Sequence, residues 1–121
     1  MPAVDGNVLR VVSRLLASDE DIMKASVRTK IENAIEPVIP EDAASDFNQG
    51  LIELGAIVCV PNGEAKCEIC PLTGICEAKR LGIQNELPVK KKAKARRIEE
   101  RTVLIFKDGD HVAIRKRPDK G

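Results

Sequence analysis

The sequence is poor in aromatic side chains and carries almost no net charge. It has no tryptophan, no tyrosine and two phenylalanines among 121 residues, although 43% of its residues are hydrophobic. Lysine and arginine number 20 against 19 aspartates and glutamates, so no global field draws the molecule to nucleic acid. Any such affinity must come from local patches. A chain of this size buries one modest core, and two full-sized domains are excluded.

Long apolar runs are also missing. No stretch of about 18 consecutive apolar residues occurs, and the N-terminal residues MPAVDGNVLR lack the apolar region of a signal peptide. These absences predict a soluble cytoplasmic protein with no membrane partner.

Cysteine is absent from the sequence except in one short loop, residues 59–76. There, intervals of seven, two and five residues separate Cys59, Cys67, Cys70 and Cys76. Because cytosolic thiols stay reduced, clustered cysteines favour metal ligands over disulfides. Only one pair has the two-residue spacing of a zinc knuckle, and thiolates from successive turns also suit an iron–sulfur cube. The spacing leaves zinc, an iron–sulfur cluster and metal-free thiols open.

Apolar periodicity predicts a mainly α fold. One helix follows the Asp-Gly-Asn stretch, with Asp5 or Asn7 as its cap, a second runs from about Ser26 to Pro37, and a third opens near Pro40 and leads into Cys59. A short helical turn after Cys76 ends at Gly82. We expect the three longer helices to pack, incompletely, through the apolar stripes that contain Val11, Leu15, Ile31, Ile35, Leu51 and Leu54.

The composition changes after this helical part. Residues 84–101 include six cations between Lys90 and Arg97 and are typical of an extended basic linker. Beyond it, β-branched residues flank Asp108-Gly109, which predicts an antiparallel hairpin from about Val103 to Lys116 with its turn at this pair. A lone hairpin is marginal in water, so residues 102–121 are expected to open a further β domain.

Three motifs carry a family resemblance. FNQGLIELGAIVC followed by CEICPLTGIC resembles the helix and iron–sulfur loop of the helix-hairpin-helix DNA glycosylase superfamily, and AVDGNVLRVVSRL resembles the helix that bears the catalytic aspartate in its MutY-type adenine glycosylases. The tail RTVLIFKDGDHVAIRKRP is similar to the first strands of their NUDIX-like C-terminal domain. The seven residues between Cys59 and Cys67 depart from the six usual in the family.

The resemblance implies a fold, a site and a substrate. It implies that residues 1–83 are the C-terminal part of the helical glycosylase domain, with the iron–sulfur loop at 59–76, followed by the linker 84–101 and a truncated NUDIX-like domain at 102–121. The implied reaction is removal of adenine mispaired with 8-oxoguanine or guanine in double-stranded DNA, by a protein that is monomeric when complete. Implied site residues are catalytic Asp5 and Asn7, the 4Fe-4S cluster ligands Cys59, Cys67, Cys70 and Cys76, and the DNA contacts Lys66, Lys79 and Arg80.

Two alternatives remain beside this hypothesis. One is an endonuclease III-like glycosylase/lyase, which the Asp-Gly-Asn motif disfavours, and the other is a non-enzymatic, metal-stabilised DNA-binding module. The family's helix-hairpin-helix and general-acid glutamate precede the Asp-Gly-Asn motif, so we expect this chain to be an internal fragment. We also expect the chain by itself to release no adenine, because general acids typically contribute about 10²–10⁴-fold.

Overall fold

A computed structural model describes residues 1–92 and 95–115. Four α-helices come first: α1 (Gly6–Leu15), α2 (Ala25–Ile35), α3 (Ala44–Ile57) and α4 (Glu77–Leu81). Short 3-10 helices cover Glu36–Val38 and Cys67–Ile69, and two strands follow, β1 (Lys107–Asp108) and β2 (His111–Val112). The predicted mainly α character is therefore confirmed. Within the described residues, no helix combines the length and apolarity needed to cross a bilayer.

The helix ends follow from local chemistry. Asp5 caps α1, and α2 gives way at Ile35 to the 3-10 turn that contains Pro37. Gly82 ends α4 in the left-handed conformation, with φ of +70°, which glycine adopts at little cost. The third helix begins at Ala44 and not near Pro40, because Pro40 instead opens a turn in which its carbonyl accepts from the amide of Ala43 at 3.3 Å.

Helix α1 lies at the centre of the helical part and packs against α2, α3 and α4. Val8 is fully buried. The core is aliphatic, as the composition requires, and consists of Val4, Val8, Leu9, Val12, Ile22, Val27, Ile31 and Ile35. Of the predicted stripe residues, Val11, Ile31 and Ile35 are buried, whereas Leu15, Leu51 and Leu54 are half-buried.

Two of the half-buried stripe residues, Leu15 and Leu51, border an open apolar groove, in agreement with the predicted incomplete packing. The groove has a volume of about 390 Å³ and lies between α1, α2, α3 and the cysteine loop. Its lining includes Leu15, Leu51, Phe47 and the exposed side chains of Leu16 and Ile75.

The packed part of the chain extends past the boundary expected at residue 83. Leu87 is buried, and its carbonyl accepts from Arg14 Nε at 2.8 Å. The carbonyl of Val89 accepts from the amide of Ile22 at 3.1 Å, and Val89 pairs with Asp21 in a parallel bridge. These contacts hold the first residues of the expected linker 84–101, up to Val89, against α1 and the segment after it.

The hairpin forms, but its turn differs from the predicted one by one residue. Lys107 pairs with Val112 and Asp108 with His111, so the two central turn residues are Gly109 and Asp110. Gly109 has φ of +56°, and a glycine at the first central position is typical of a type II′ turn, not the expected type I′. All described residues from 95 to 115 are exposed. The expected hairpin's last residue, 116, and residues 117–121 lie outside the described part.

Candidate functional site

Asp5 and Asn7 meet at the N-terminus of α1. One carboxylate oxygen of Asp5, Oδ1, accepts from the backbone amide of Val8 at 2.9 Å, which is the normal N-cap bond. The other, Oδ2, accepts from Nδ2 of Asn7 at 3.3 Å. Both side chains are half-buried, so the Asp5 carboxylate is held in a fixed position and still reaches solvent.

Arg10 connects this pair to the end of α3. Its Nη2 donates to Oδ1 of Asn7 at 2.8 Å and also to the carbonyl of Gly55, while its Nε donates to the carbonyl of Cys59 at 2.8 Å. Since the amide oxygen of Asn7 faces Arg10, its NH₂ group is directed to Asp5. One guanidinium group therefore contacts the Asp-Gly-Asn motif and the first residue of the cysteine loop.

Gly55 allows α3 to approach this motif closely. A Cβ atom on Gly55 would lie 2.8 Å from Cβ of Asn7 and 2.9 Å from its carbonyl oxygen. Real Cβ atoms do not make such contacts, so any larger residue at position 55 would displace Asn7 or α3.

Arg14, one helical turn after Arg10, contacts the cysteine loop directly. Its Nη1 donates to Sγ of Cys59 at 3.2 Å and to the carbonyl of Val60 at 3.0 Å, and its Nε holds Leu87. Only 3% of Arg14 and 6% of Arg10 are exposed. Two buried cations on one helix thus bind the loop through its backbone and one of its thiols.

The cysteine loop leaves α3 and folds back through a series of turns. The amide of Cys59 donates to the carbonyl of Leu54 at 2.8 Å, and the amide of Lys66 to that of Val58 at 3.0 Å. Gly63, with φ of +78°, supplies the bend between them. Outside the loop, Oδ1 of Asn85 accepts from the amide of Ala65 at 3.2 Å, which ties the loop to the segment after α4.

All four cysteine side chains line one cavity, together with Arg14, Lys66, Lys79 and Gln84. They are half-buried free thiols. The cavity is small, about 30 Å³, and no three potential ligands among the described residues have the tight arrangement of a single metal ion.

Burial is the largest influence on the pKa of the Cys67 thiol in this cavity. Burial raises the pKa of the Cys67 thiol, Lys79 lowers it, and negative charge on the other three cysteines raises it again. Oε1 of Gln84 is buried without a hydrogen-bond partner in the described part of the chain. Gln84 lines the same cavity, and turning its amide by 180° would exchange this oxygen for an N–H donor.

The predicted DNA contacts lie near the same cavity. Lys66 and Lys79 are exposed residues at its rim. Arg80 is also exposed, but its guanidinium forms an ion pair with Glu77, and the Nε to Oε1 distance is 2.9 Å. Lys66 and Lys79 therefore have free access to solvent, whereas Arg80 would have to exchange a partner.

Comparison with known proteins gives a consistent set of relatives. An adenine DNA glycosylase of Schizosaccharomyces pombe is 43% identical over 75 residues, which is 62% of this chain and 16% of the relative. Adenine DNA glycosylases of Buchnera aphidicola subsp. Schizaphis graminum and Arabidopsis thaliana are 29% and 30% identical over 98% and 100% of the chain. The chain is a homologue of the adenine DNA glycosylases. No protein-family profile matches it.

The chain corresponds to only part of these adenine DNA glycosylases. It spans 16% of the S. pombe relative, 21% of the A. thaliana relative and 34% of the B. aphidicola relative.

Sequence reasoning missed three residues of the site, namely Arg10, Arg14 and Gly55. The two arginines are four residues apart and so share a face of α1, which also carries the Asp-Gly-Asn motif. A glycine near the end of an amphipathic helix is a signal of close packing or of a helix end. Neither pattern predicts which residues are in contact, because Gly55 and the carbonyl of Cys59 are more than 40 positions from Arg10 in the sequence.

Gly55→Ala and Gly50→Ala are expected to have opposite effects on stability. Both glycines lie in α3, but a Cβ on Gly50 meets nothing within 4 Å. Gly50→Ala should stabilise the chain by about 0.5–1 kcal/mol through helix propensity, whereas overpacking in Gly55→Ala should cost about 1–3 kcal/mol. Urea unfolding followed by circular dichroism measures both. Equal stabilisation by the two variants would contradict the close approach of α3 to Asn7.

Proposed function

We propose that this chain belongs to a base-excision repair enzyme that hydrolyses the N-glycosidic bond of adenine, mispaired with 8-oxoguanine or guanine, in double-stranded DNA. The observation that carries the proposal is the Asp5 carboxylate, held by Val8 and Asn7 at the start of α1 in a homologue of adenine DNA glycosylases. The proposal concerns the whole protein, of which this chain supplies one part of the site.

The chemistry needs an anion at a defined place. Cleavage of an N-glycosidic bond leaves cationic character on the sugar, which a fixed carboxylate beside the anomeric carbon stabilises, as in glycosidases. Asp5 has this role in the proposal. One of its oxygens caps α1 and the other is bonded to Asn7, so the carboxylate does not have to reorganise as charge develops.

Asn7 and Arg10 are positioning residues in this proposal. Arg10 orients the Asn7 amide, and the amide in turn orients Asp5. Because Arg10 also donates to the carbonyl of Cys59, the position of Asp5 depends on the order of the cysteine loop. In the proposal the cysteine loop does not contact the sugar, but its order affects the reaction through the position of Asp5.

The cysteine loop is proposed to hold a 4Fe-4S cluster through Cys59, Cys67, Cys70 and Cys76. The residues fit such a group: four thiols around one cavity, with Arg14, Lys66 and Lys79 supplying positive charge. Arg14 Nη1 donates to a sulfur, as expected beside an electron-rich thiolate. A bound cluster would supply four iron–thiolate crosslinks that fix the loop. Exposed Lys66 and Lys79 would then present their charges to DNA phosphates, and Arg80 is proposed as a third contact.

Iron–sulfur reconstitution tests the proposed cluster. Anaerobic incubation of the chain with ferrous iron and sulfide should give a brown protein with broad visible absorption. Cys70→Ala should lose this absorption, because it removes a ligand, whereas Thr73→Ala should keep it, since Thr73 lines the same cavity without a thiol. Tight binding of colourless zinc, with no visible band after reconstitution, would contradict the cluster.

The role of Asp5 is tested in a chimera, because we expect the chain alone to release no adenine. The segment of the A. thaliana adenine DNA glycosylase that matches the whole of this chain is replaced by this chain. In single-turnover assays on duplexes with adenine opposite 8-oxoguanine, Asp5→Asn should slow base release by about 10²–10³-fold, the loss typical of one electrostatic contact to the transition state.

The matched control for this assay is Asp46→Asn. Asp46 is an exposed acidic residue in the first turn of α3, so the same chemical change there should leave the rate unaltered. Base release that is equally fast in Asp5→Asn would exclude Asp5 from the reaction. A folded chimera that binds DNA but releases no base would favour the non-enzymatic DNA-binding module.

A further inference from the structure

Both α1 arginines line a second cavity, and Arg14 lines the cysteine cavity as well. The second cavity has a volume of about 270 Å³ and is lined by Arg10, Arg14, Lys90 and Asn85, with Pro61, Leu87 and Pro88 as apolar walls. Three of its lining residues are cations and none is acidic. We call it the arginine pocket.

The charges of Arg10 and Arg14 are not neutralised by an ion pair. Among the described residues their hydrogen-bond acceptors are backbone carbonyls, the Asn7 amide and the Cys59 sulfur, and neither takes part in a salt bridge. Burial and the proximity of Arg14 lower the pKa of Arg10, whereas Cys59 and Asp5 raise it. Buried cations are costly unless an anion or several hydrogen-bond acceptors compensate them.

The two guanidinium groups also keep unused donors. Nη1 of Arg10 and Nη2 of Arg14 donate to no other described residue, and neither atom is buried without a partner. Asn85 adds a donor, because its Oδ1 is occupied by the amide of Ala65 and its NH₂ group is therefore directed elsewhere. Exposed Lys90 contributes a mobile positive charge at the rim.

We propose that the arginine pocket binds a phosphate group. Guanidinium forks match the oxygens of phosphate, a lysine adds a point charge, and the site contains no carboxylate that would repel an anion. The phosphate can come from a DNA strand or from free phosphate in solution. The DNA source rests on the proposed function, whereas the phosphate chemistry of the pocket does not.

The direct test follows the side-chain Nε–H signals of Arg10 and Arg14 by NMR. Both Nε atoms are in hydrogen bonds and should give resolved signals. Inorganic phosphate, titrated at constant ionic strength against sodium chloride, should shift both signals in a saturable way. A short DNA duplex in place of phosphate tests the second source with the same signals.

Variants at the rim keep the test independent of folding, since replacing a buried arginine could unfold the chain. Lys90→Gln should weaken phosphate binding severalfold and, for a DNA source, lower the slope of log affinity against log salt by about 1. Lys92→Gln is the control, because Lys92 is exposed in the same basic segment and does not line the pocket.

The outcomes separate the two sources and the two proposals. If inorganic phosphate shifts the arginine signals in a saturable way, and Lys90→Gln leaves the slope of log DNA affinity against log salt unchanged, the pocket binds free phosphate. If the slope of log DNA affinity against log salt falls in Lys90→Gln but not in Lys92→Gln, and the arginine signals shift when duplex is added, the pocket binds a phosphate of a DNA strand. Arginine signals that move with neither ligand, or equal effects of the two lysine variants, would overturn the inference. Asp5-dependent base release in the chimera is measured separately, so either proposal can fail alone.

Discussion

The hydrogen bonds that Arg10 and Arg14 donate from α1 determine how the rest of the helical part is arranged. They bind the carbonyls of Gly55, Cys59, Val60 and Leu87, which come from α3, the cysteine loop and the segment after α4. The guanidinium groups therefore connect these three regions to α1, in addition to the apolar side chains of α3 that pack against the aliphatic core.

Arginine suits this position better than lysine does. Its planar group offers five donors in a fixed fork, so one side chain can satisfy several carbonyls that lie in different directions. Each of these carbonyls is in a loop or at a helix end, where no intrahelical partner is available. Burying the two charges costs free energy. The hydrogen bonds that the two arginines donate to otherwise unpaired carbonyls offset this cost, as do, in our proposals, the bound cluster and the bound phosphate group.

Local signals in the sequence were sufficient for much of the fold. The cap at Asp5, the end of α2 before Pro37 and the end of α4 at Gly82 each depend on one residue and its neighbours. The loop with four cysteines was evident because all four lie within 18 residues. The hairpin turn was misplaced by one residue because Asp108-Gly109-Asp110 allows two registers, and only the strand pairing selects between them.

The contacts that organise the site could not be predicted in this way. Charged residues in an amphipathic helix are normally solvated, so nothing local marked Arg10 and Arg14 as buried. Most of their partners are backbone carbonyls, which every residue possesses and which therefore leave no trace in the sequence. Likewise, the packing of residues 84–89 depends on the carbonyls of Leu87 and Val89, and the basic composition nearby suggested a linker.

One guanidinium group, that of Arg10, joins the Asp-Gly-Asn motif to the cysteine loop. Amide hydrogen exchange in Arg10→Lys, measured by NMR against the unchanged chain, tests this connection most directly, because lysine keeps the charge and loses the fork. Faster exchange is expected at two separate places, the Val8 amide at the cap and the Cys59 amide at the start of the loop, with little change at Ile31 in α2. Acceleration at only one of the two places, or a uniform change that includes Ile31, would contradict it.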